Sequence, residues 1–254
     1  MEGEAAMETA FRRPRRHGLD TLRGLALISM ILYHASWDLV YLFGVDWPWY
    51  RSSGAYFWQQ ATCWTFILLS GYCFHLGHHR LRRGWMAFGG GAVVTAVTLV
   101  AMPDMPVLFG VLTLLGSATL LTVPLDKLLG KIPAVLGLAL SFALFWLFRE
   151  INSGILSFGS LFAATVPETL YANLFTAWLG FPPSGFRSSD YFPILPWLFL
   201  FWTGYFLYRL CPNGPFWTFP KIPVITWMGR HSLVIYMLHQ PLVYGVLTAW
   251  HWLF

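Results

Sequence analysis

His34 and Asp38 stand four residues apart inside "ILYHASWDLVYLF", a run otherwise suited to a membrane-buried helix. Residues at that spacing share a helix face. A carboxylate placed there can accept a hydrogen bond from one imidazole nitrogen and leave the other free. That contact would fix the tautomer and raise the basicity of the ring, which is what a general base requires. An intrahelical bond that merely satisfies two polar groups in a bundle is the plainer reading. The functional one is preferred, because ionisable groups inside membrane helices are rare and usually face a cavity or a proton path.

A second set lies near the C-terminus, in "WMGRHSLVIYMLHQP". Arg230 and His231 open the apolar run, and His239 follows about 12 Å further along a helix. Pro241 has no N–H, so it deprives the Met237 carbonyl of its helical partner and predicts a kink beside His239. A kink flanked by polar residues suits a lined cavity better than lipid. On the first run, Arg23 precedes His34 by about 16 Å of helix. Arg23, Arg230 and His231 thus form a cationic end, with His34 and His239 deeper. Arg230 reads equally well as a snorkelling anchor at the membrane edge.

Two further segments carry polar side chains at the ends of apolar runs. In "SSDYFPILPW", Ser188, Ser189 and Asp190 precede prolines in the pattern of a helix cap. The same segment could instead be a rigid wall that holds Asp190 over a cavity. The loop "HHRLRRG" brings Arg80, Arg82 and Arg83 together, as an orientation signal or a phosphate site. Trp37, Tyr191 and Trp197 are aromatic faces on which a sugar could stack.

The elements that must position these groups follow from composition. Of 254 residues, 57% are hydrophobic and only 11% charged, whereas about a quarter of an ordinary soluble domain is charged. Apolar runs of about 20 residues match a hydrocarbon layer about 30 Å thick. The expected fold is an all-α polytopic membrane protein of seven helices, at roughly 19–42, 56–77, 85–102, 106–125, 132–148, 191–209 and 222–247. Residues 1–18 read as a basic tail and 19–254 as one transmembrane domain. The first apolar run is too long for the core of a cleavable signal. Cys63, Cys73 and Cys211 show no metal-ligand spacing and read as small core residues.

Orientation follows from the basic residues. With the N-terminus in the cytoplasm, Arg12, Arg13, Arg15, Arg16, Arg80, Arg82, Arg83, Lys127, Lys131, Arg209 and Lys221 fall inside, against Arg51, Arg149 and Arg187 outside. This bias favours an external re-entrant or interfacial segment over 153–189. An eighth span there is the alternative, and it would move Arg209 and Lys221 outside. The net charge of +5 is accounted for by orientation and calls for no nucleic acid.

The segments "LDTLRGLALISMILYHASWD", "WTFILLSGYCFHLG", "VLFGVLTLLG", "GFPPSGFRSSDYFPILPWLFLFWTG" and "WMGRHSLVIYMLHQPL" occur in this order over residues 16–245. Together they resemble the bacterial relatives of heparan-alpha-glucosaminide N-acetyltransferase, within the wider transmembrane acyltransferase superfamily. The resemblance implies a multi-pass cell-membrane enzyme that moves acetyl from cytoplasmic acetyl-CoA to an amine or hydroxyl of an amino sugar or glycan on the far side. It places Arg23 and the Arg230–His231 pair in family motifs and His34 where a polar group of the first helix is expected. One departure is Thr113, where bacterial members tend to carry histidine.

The expected chemistry is therefore acetyl transfer. His34, oriented by Asp38, acts as base or acyl carrier, with His239 at similar depth. Arg23, Arg230 and His231, together with Arg80, Arg82 and Arg83, meet the phosphates of acetyl-CoA. Trp37, Asp190, Tyr191 and Trp197 line the acceptor side. A proton-coupled transporter would also use buried histidine and aspartate, although no inverted repeat is visible. A catalytically inactive scaffold is the other rival.

Overall fold

The computed structural model describes residues 17–214 and 219–253; the basic tail expected over 1–18 therefore lies almost wholly outside the described residues. Nine α-helices carry the described chain: α1 (His17–Tyr41), α2 (Ser53–Tyr72), α3 (Arg80–Ala101), α4 (Val111–Leu129), α5 (Ala134–Leu147), α6 (Leu174–Leu179), α7 (Ile194–Leu210), α8 (Pro223–Arg230) and α9 (Ser232–Leu253). Five segments are long and apolar enough to cross a membrane: α1, α3, α4, the stretch Ala134–Ser153 that contains α5, and α9. The chain is thus a helical protein whose long apolar segments are compatible with a multi-pass membrane protein. Exposed side chains such as Val100, Leu161 and Trp252 are what a lipid-facing surface requires.

The chain divides into two compact units. One comprises residues 1–59 and 213–254, and the other residues 60–212. In the first, α1 packs against α8 and α9. Near the far end of α1, a small aromatic cluster gathers Val40, Tyr50 and Ala55 with Tyr33 and Trp37. The Tyr50 hydroxyl donates to the Tyr33 carbonyl at 3.2 Å, and burial raises its pKa, so it stays a neutral donor.

In the second unit, α3 packs on α4 and α7 lies against α5. Its core includes Ile67, Phe74, Leu114, Phe145, Leu200, Phe201, Tyr205 and Phe206. The crossing of α2 and α7 is close because glycines face backbone: a Cβ on Gly71 would overlap the Phe201 carbonyl, and one on Gly204 the Leu68 carbonyl. Small residues at such crossings let apolar helices approach without a hydrophobic driving force from water.

The stretch over 153–189 contains no long helix. It holds an antiparallel hairpin of β1 (Ile155–Ser157) and β2 (Ala163–Thr165) with Ile155 opposite Thr165, followed by α6. Six helical residues span only about 9 Å, so no helix here can cross a bilayer. The α6 start is fixed by Asn173, whose side chain accepts from the backbone N–H groups of Phe175 and Thr176.

Two sequence expectations need correction. The run expected as one helix over 222–247 is broken at His231, where the backbone leaves helical geometry (φ −104°, ψ 22°). Pro223 starts α8, and Gly229 weakens its end. Pro241 lies inside α9, which continues past it to Leu253. Among the three cysteines, Cys211 is exposed rather than part of a core.

Candidate functional site in the first unit

The first unit is held at the N-terminal end of α1 by a close crossing with α8. A Cβ on Gly24 would overlap the Ile225 carbonyl, and one on Gly229 the Asp20 carbonyl. Thr21 and Thr226, both buried, share a hydrogen bond of 2.8 Å across the crossing. Asp20 sits at its end and binds two cations: Arg23 Nη1 at 3.5 Å and Arg230 Nε at 3.4 Å. Arg230 Nη2 also meets His17 Nδ1 at 2.8 Å. Among the described residues, two guanidinium groups against one carboxylate leave this end with net positive charge. His231 is exposed; its Nδ1 lies 3.0 Å from the Trp227 carbonyl and its ring packs on the Trp227 indole.

Deeper along α1 and α9, four polar side chains come together. The rings of His34 and His239 meet edge to face with centroids 4.9 Å apart. Gln240 Nε2 donates to Asp38 Oδ1 at 2.7 Å. His239 Nδ1 lies 2.5 Å from the Tyr236 carbonyl one turn earlier. A carbonyl can only accept, so Nδ1 carries the proton and Nε2 presents its lone pair. That Nε2 is buried and has no hydrogen-bond partner, as are Asp38 Oδ2 and Gln240 Oε1.

This geometry corrects the expected His34–Asp38 couple. Among the described residues, no hydrogen bond joins them. Asp38, fully buried, takes its donor from α9 instead. Spacing along one helix places two side chains on one face, but a better donor on a neighbouring helix competes for the carboxylate. The fixed tautomer and free nitrogen expected of His34 are found on His239, supplied by a backbone carbonyl.

The other candidates lie elsewhere. Trp37 belongs to the aromatic cluster of the first unit, where its ring packs on Tyr41. Asp190, Tyr191 and Trp197 are in the second unit. Asp190 does not cap its own helix; its Oδ2 accepts from the Val111 N–H at 3.3 Å, at the N-terminus of α4, where the helix dipole favours an anion. Ser188 Oγ bonds both the N–H and the carbonyl of Leu108. Tyr191 donates to the Ala177 carbonyl at 2.5 Å, and Trp197 packs between Phe145 and Phe192.

Arg80, Arg82 and Arg83 also belong to the second unit. Arg80 spends its guanidinium on Asp126 at 2.6 Å and lies over the Phe74 ring. Arg82 and Arg83 are exposed. Thr113 is buried where α3 meets α4, so close that a Cβ on Gly91 would overlap its Oγ1. A histidine at this position would have to displace α3.

Sequence reasoning missed Gln240 and Asp20. Both carried a signal: Gln240 is a polar neighbour of His239 in an apolar run, and Asp20 is an acid three residues before Arg23.

Comparison with known families gives a match over most of the chain. The family described as heparan-alpha-glucosaminide N-acetyltransferase, catalytic, matches residues 15–241, which include every residue of both clusters on α1, α8 and α9. Comparisons with curated proteins and with solved structures find no match.

Proposed function

Because the chain belongs to the heparan-alpha-glucosaminide N-acetyltransferase catalytic family, we propose that it is an integral membrane acetyltransferase that moves acetyl from acetyl-CoA to an amine or hydroxyl of an extracytoplasmic amino sugar or glycan. The observation that carries this reading is the ring contact of His34 with the buried His239, whose Nε2 is free. A lone pair with its tautomer fixed from behind and no protein partner is placed to act as a general base.

Acetyl-CoA supplies an activated acyl group on sulfur. Its phosphates would meet the cationic end formed by Arg23 and Arg230, with His231 beside them. Arginine suits phosphate through its planar fork of donors. The thioester would reach inward toward His239. The acceptor's lone pair attacks the thioester carbonyl as Nε2 takes the acceptor's proton. The carbon–sulfur bond then breaks, and the proton passes to the departing thiolate. An acetyl-histidine relay would use the same nitrogen. His34, packed edge-on, holds the His239 ring in place.

The proposed arrangement is a cell-membrane protein with a cytoplasmic N-terminus and seven crossings. These are the five long apolar segments together with α2 and α7, which have 20 and 17 residues. Basic residues concentrated on one side support it.

Purified protein should bind acetyl-CoA and transfer radiolabelled acetyl to cell-envelope glycans. Failure to bind acetyl-CoA would refute the reading. Binding without any transfer would return the protein to the role of an inactive scaffold.

A further inference from the structure

The Asp38–Gln240 hydrogen bond leaves two oxygens unused. Asp38 Oδ2 and Gln240 Oε1 flank the same 2.7 Å contact, and each is buried without a partner. The next residue, His239, adds a third unpaired acceptor at Nε2. Buried polar atoms are nearly always satisfied in folded proteins. Three acceptors left open together, on facing helices α1 and α9, ask for a ligand rich in donors. Among the described residues the second unit has no such group, since its unpaired His75 Nε2 and Asn152 Oδ1 lie on separate elements.

We propose that Gln240 is a specificity-determining residue, which with Asp38 forms a two-oxygen receiver for a nucleophile bearing at least two hydrogen-bond donors. The inference rests on the acetyltransferase reading. Gln240 has two tasks at once: its N–H fixes the Asp38 carboxylate, and its carbonyl oxygen supplies the second acceptor. A hydroxyl brings one donor and can satisfy one of the three open acceptors. A primary amine brings two donors. The receiver therefore selects a neutral primary amine, holding one of its hydrogens between Oδ2 and Oε1 and directing the other to His239 Nε2, which leaves the lone pair free for attack on the thioester. As the carbon–nitrogen bond forms, Nε2 takes that hydrogen and passes it to the departing thiolate.

The test compares a methyl 2-amino-2-deoxyglucoside with the matching methyl glucoside as acceptors, using radiolabelled acetyl-CoA. The readout is the ratio of kcat/KM values, so the intrinsic reactivity of amine and hydroxyl cancels between wild type and variants. Gln240→Met keeps the volume but removes both polar atoms. It should lower the amine-to-hydroxyl ratio at least about tenfold, chiefly through acceptor KM, because a site built around hydrogen bonds loses selectivity when they go. Acetyl-CoA affinity should stay within about twofold, which also reports correct folding. Asp38→Asn, an isosteric change that turns Oδ2 into a donor, should lower the ratio as well and serves if Gln240→Met does not fold. An unchanged ratio in the folded variants overturns the inference. So does a wild type that binds acetyl-CoA but transfers to neither glycoside, while the acetyltransferase reading stands. A wild type that does not bind acetyl-CoA overturns both.

Discussion

Both units bury polar side chains, but they treat them differently. In the second unit the charged groups satisfy one another, and the two unpaired buried atoms among its described residues, His75 Nε2 and Asn152 Oδ1, lie on separate elements. Asp126 accepts from Arg80 at 2.6 Å and from the Tyr205 hydroxyl at 2.7 Å. Arg209 caps the end of α4 through the carbonyls of Leu129, Gly130 and Ile132. Thr203 pairs with Ser141, and Trp202 with Thr122. In the first unit, Asp38, His239 and Gln240 each keep an atom unpaired. A fully satisfied network ties helices together, whereas an open one costs stability and persists where a ligand completes it. Under the proposed function, the difference separates a scaffold from a site.

Several substitutions would break or sharpen that contrast. The largest effect is expected from His239→Ala. Transfer should fall by about 10²–10⁴-fold, the usual value of a general base, with acetyl-CoA binding and thermal stability retained. His34→Ala should cost roughly tenfold, equivalent to about 1.4 kcal/mol of barrier, since His34 acts through His239. Single-turnover rates measure both. An order reversed in size would return the base to His34.

Asp126→Ala should do the opposite. It strips Arg80 and Tyr205 of their partner and should destabilise the fold by about 1–3 kcal/mol, read as a lower melting temperature in detergent. Activity per folded molecule should not change. Arg230→Ala should weaken acetyl-CoA binding by about 2 kcal/mol, as expected for a lost charge-assisted hydrogen bond. An unchanged dissociation constant would make Arg230 a clasp between α1 and α8 only. Thr113→His is expected to have the smallest effect. It overpacks the crossing at Gly91, costs about 1 kcal/mol of stability or more, and should bring no gain in activity. Faster transfer would give the second unit a catalytic role.

Helix positions read well from the sequence because each is fixed by its own apolar run. The run expected over 19–42 is α1 at His17–Tyr41, and that over 85–102 overlaps α3 at Arg80–Ala101 to within a residue of its end. Partners across the fold did not read. Gln240 is 202 residues from Asp38, and Asp190 caps a helix that begins 79 residues earlier. Helical periodicity reports which residues share a face, not which neighbouring helix that face meets. The break at His231 also escaped, because the apolar pattern runs through it. It depends on α8 docking at Gly24 and Gly229, a tertiary contact. The presence of His34, Asp38 and His239 at depth did read, because polar residues stand out against apolar runs. Their pairing did not.

The central claim is that the open polar cluster of the first unit is where acetyl transfer takes place. A structure of the protein with acetyl-CoA bound tests it most directly. The account predicts the thioester carbonyl carbon within about 3.5 Å of His239 Nε2, the separation of a reactive pair, with the phosphates at Arg23 and Arg230. A thioester lodged instead against His75, Arg80 and Asp126 of the second unit would contradict it.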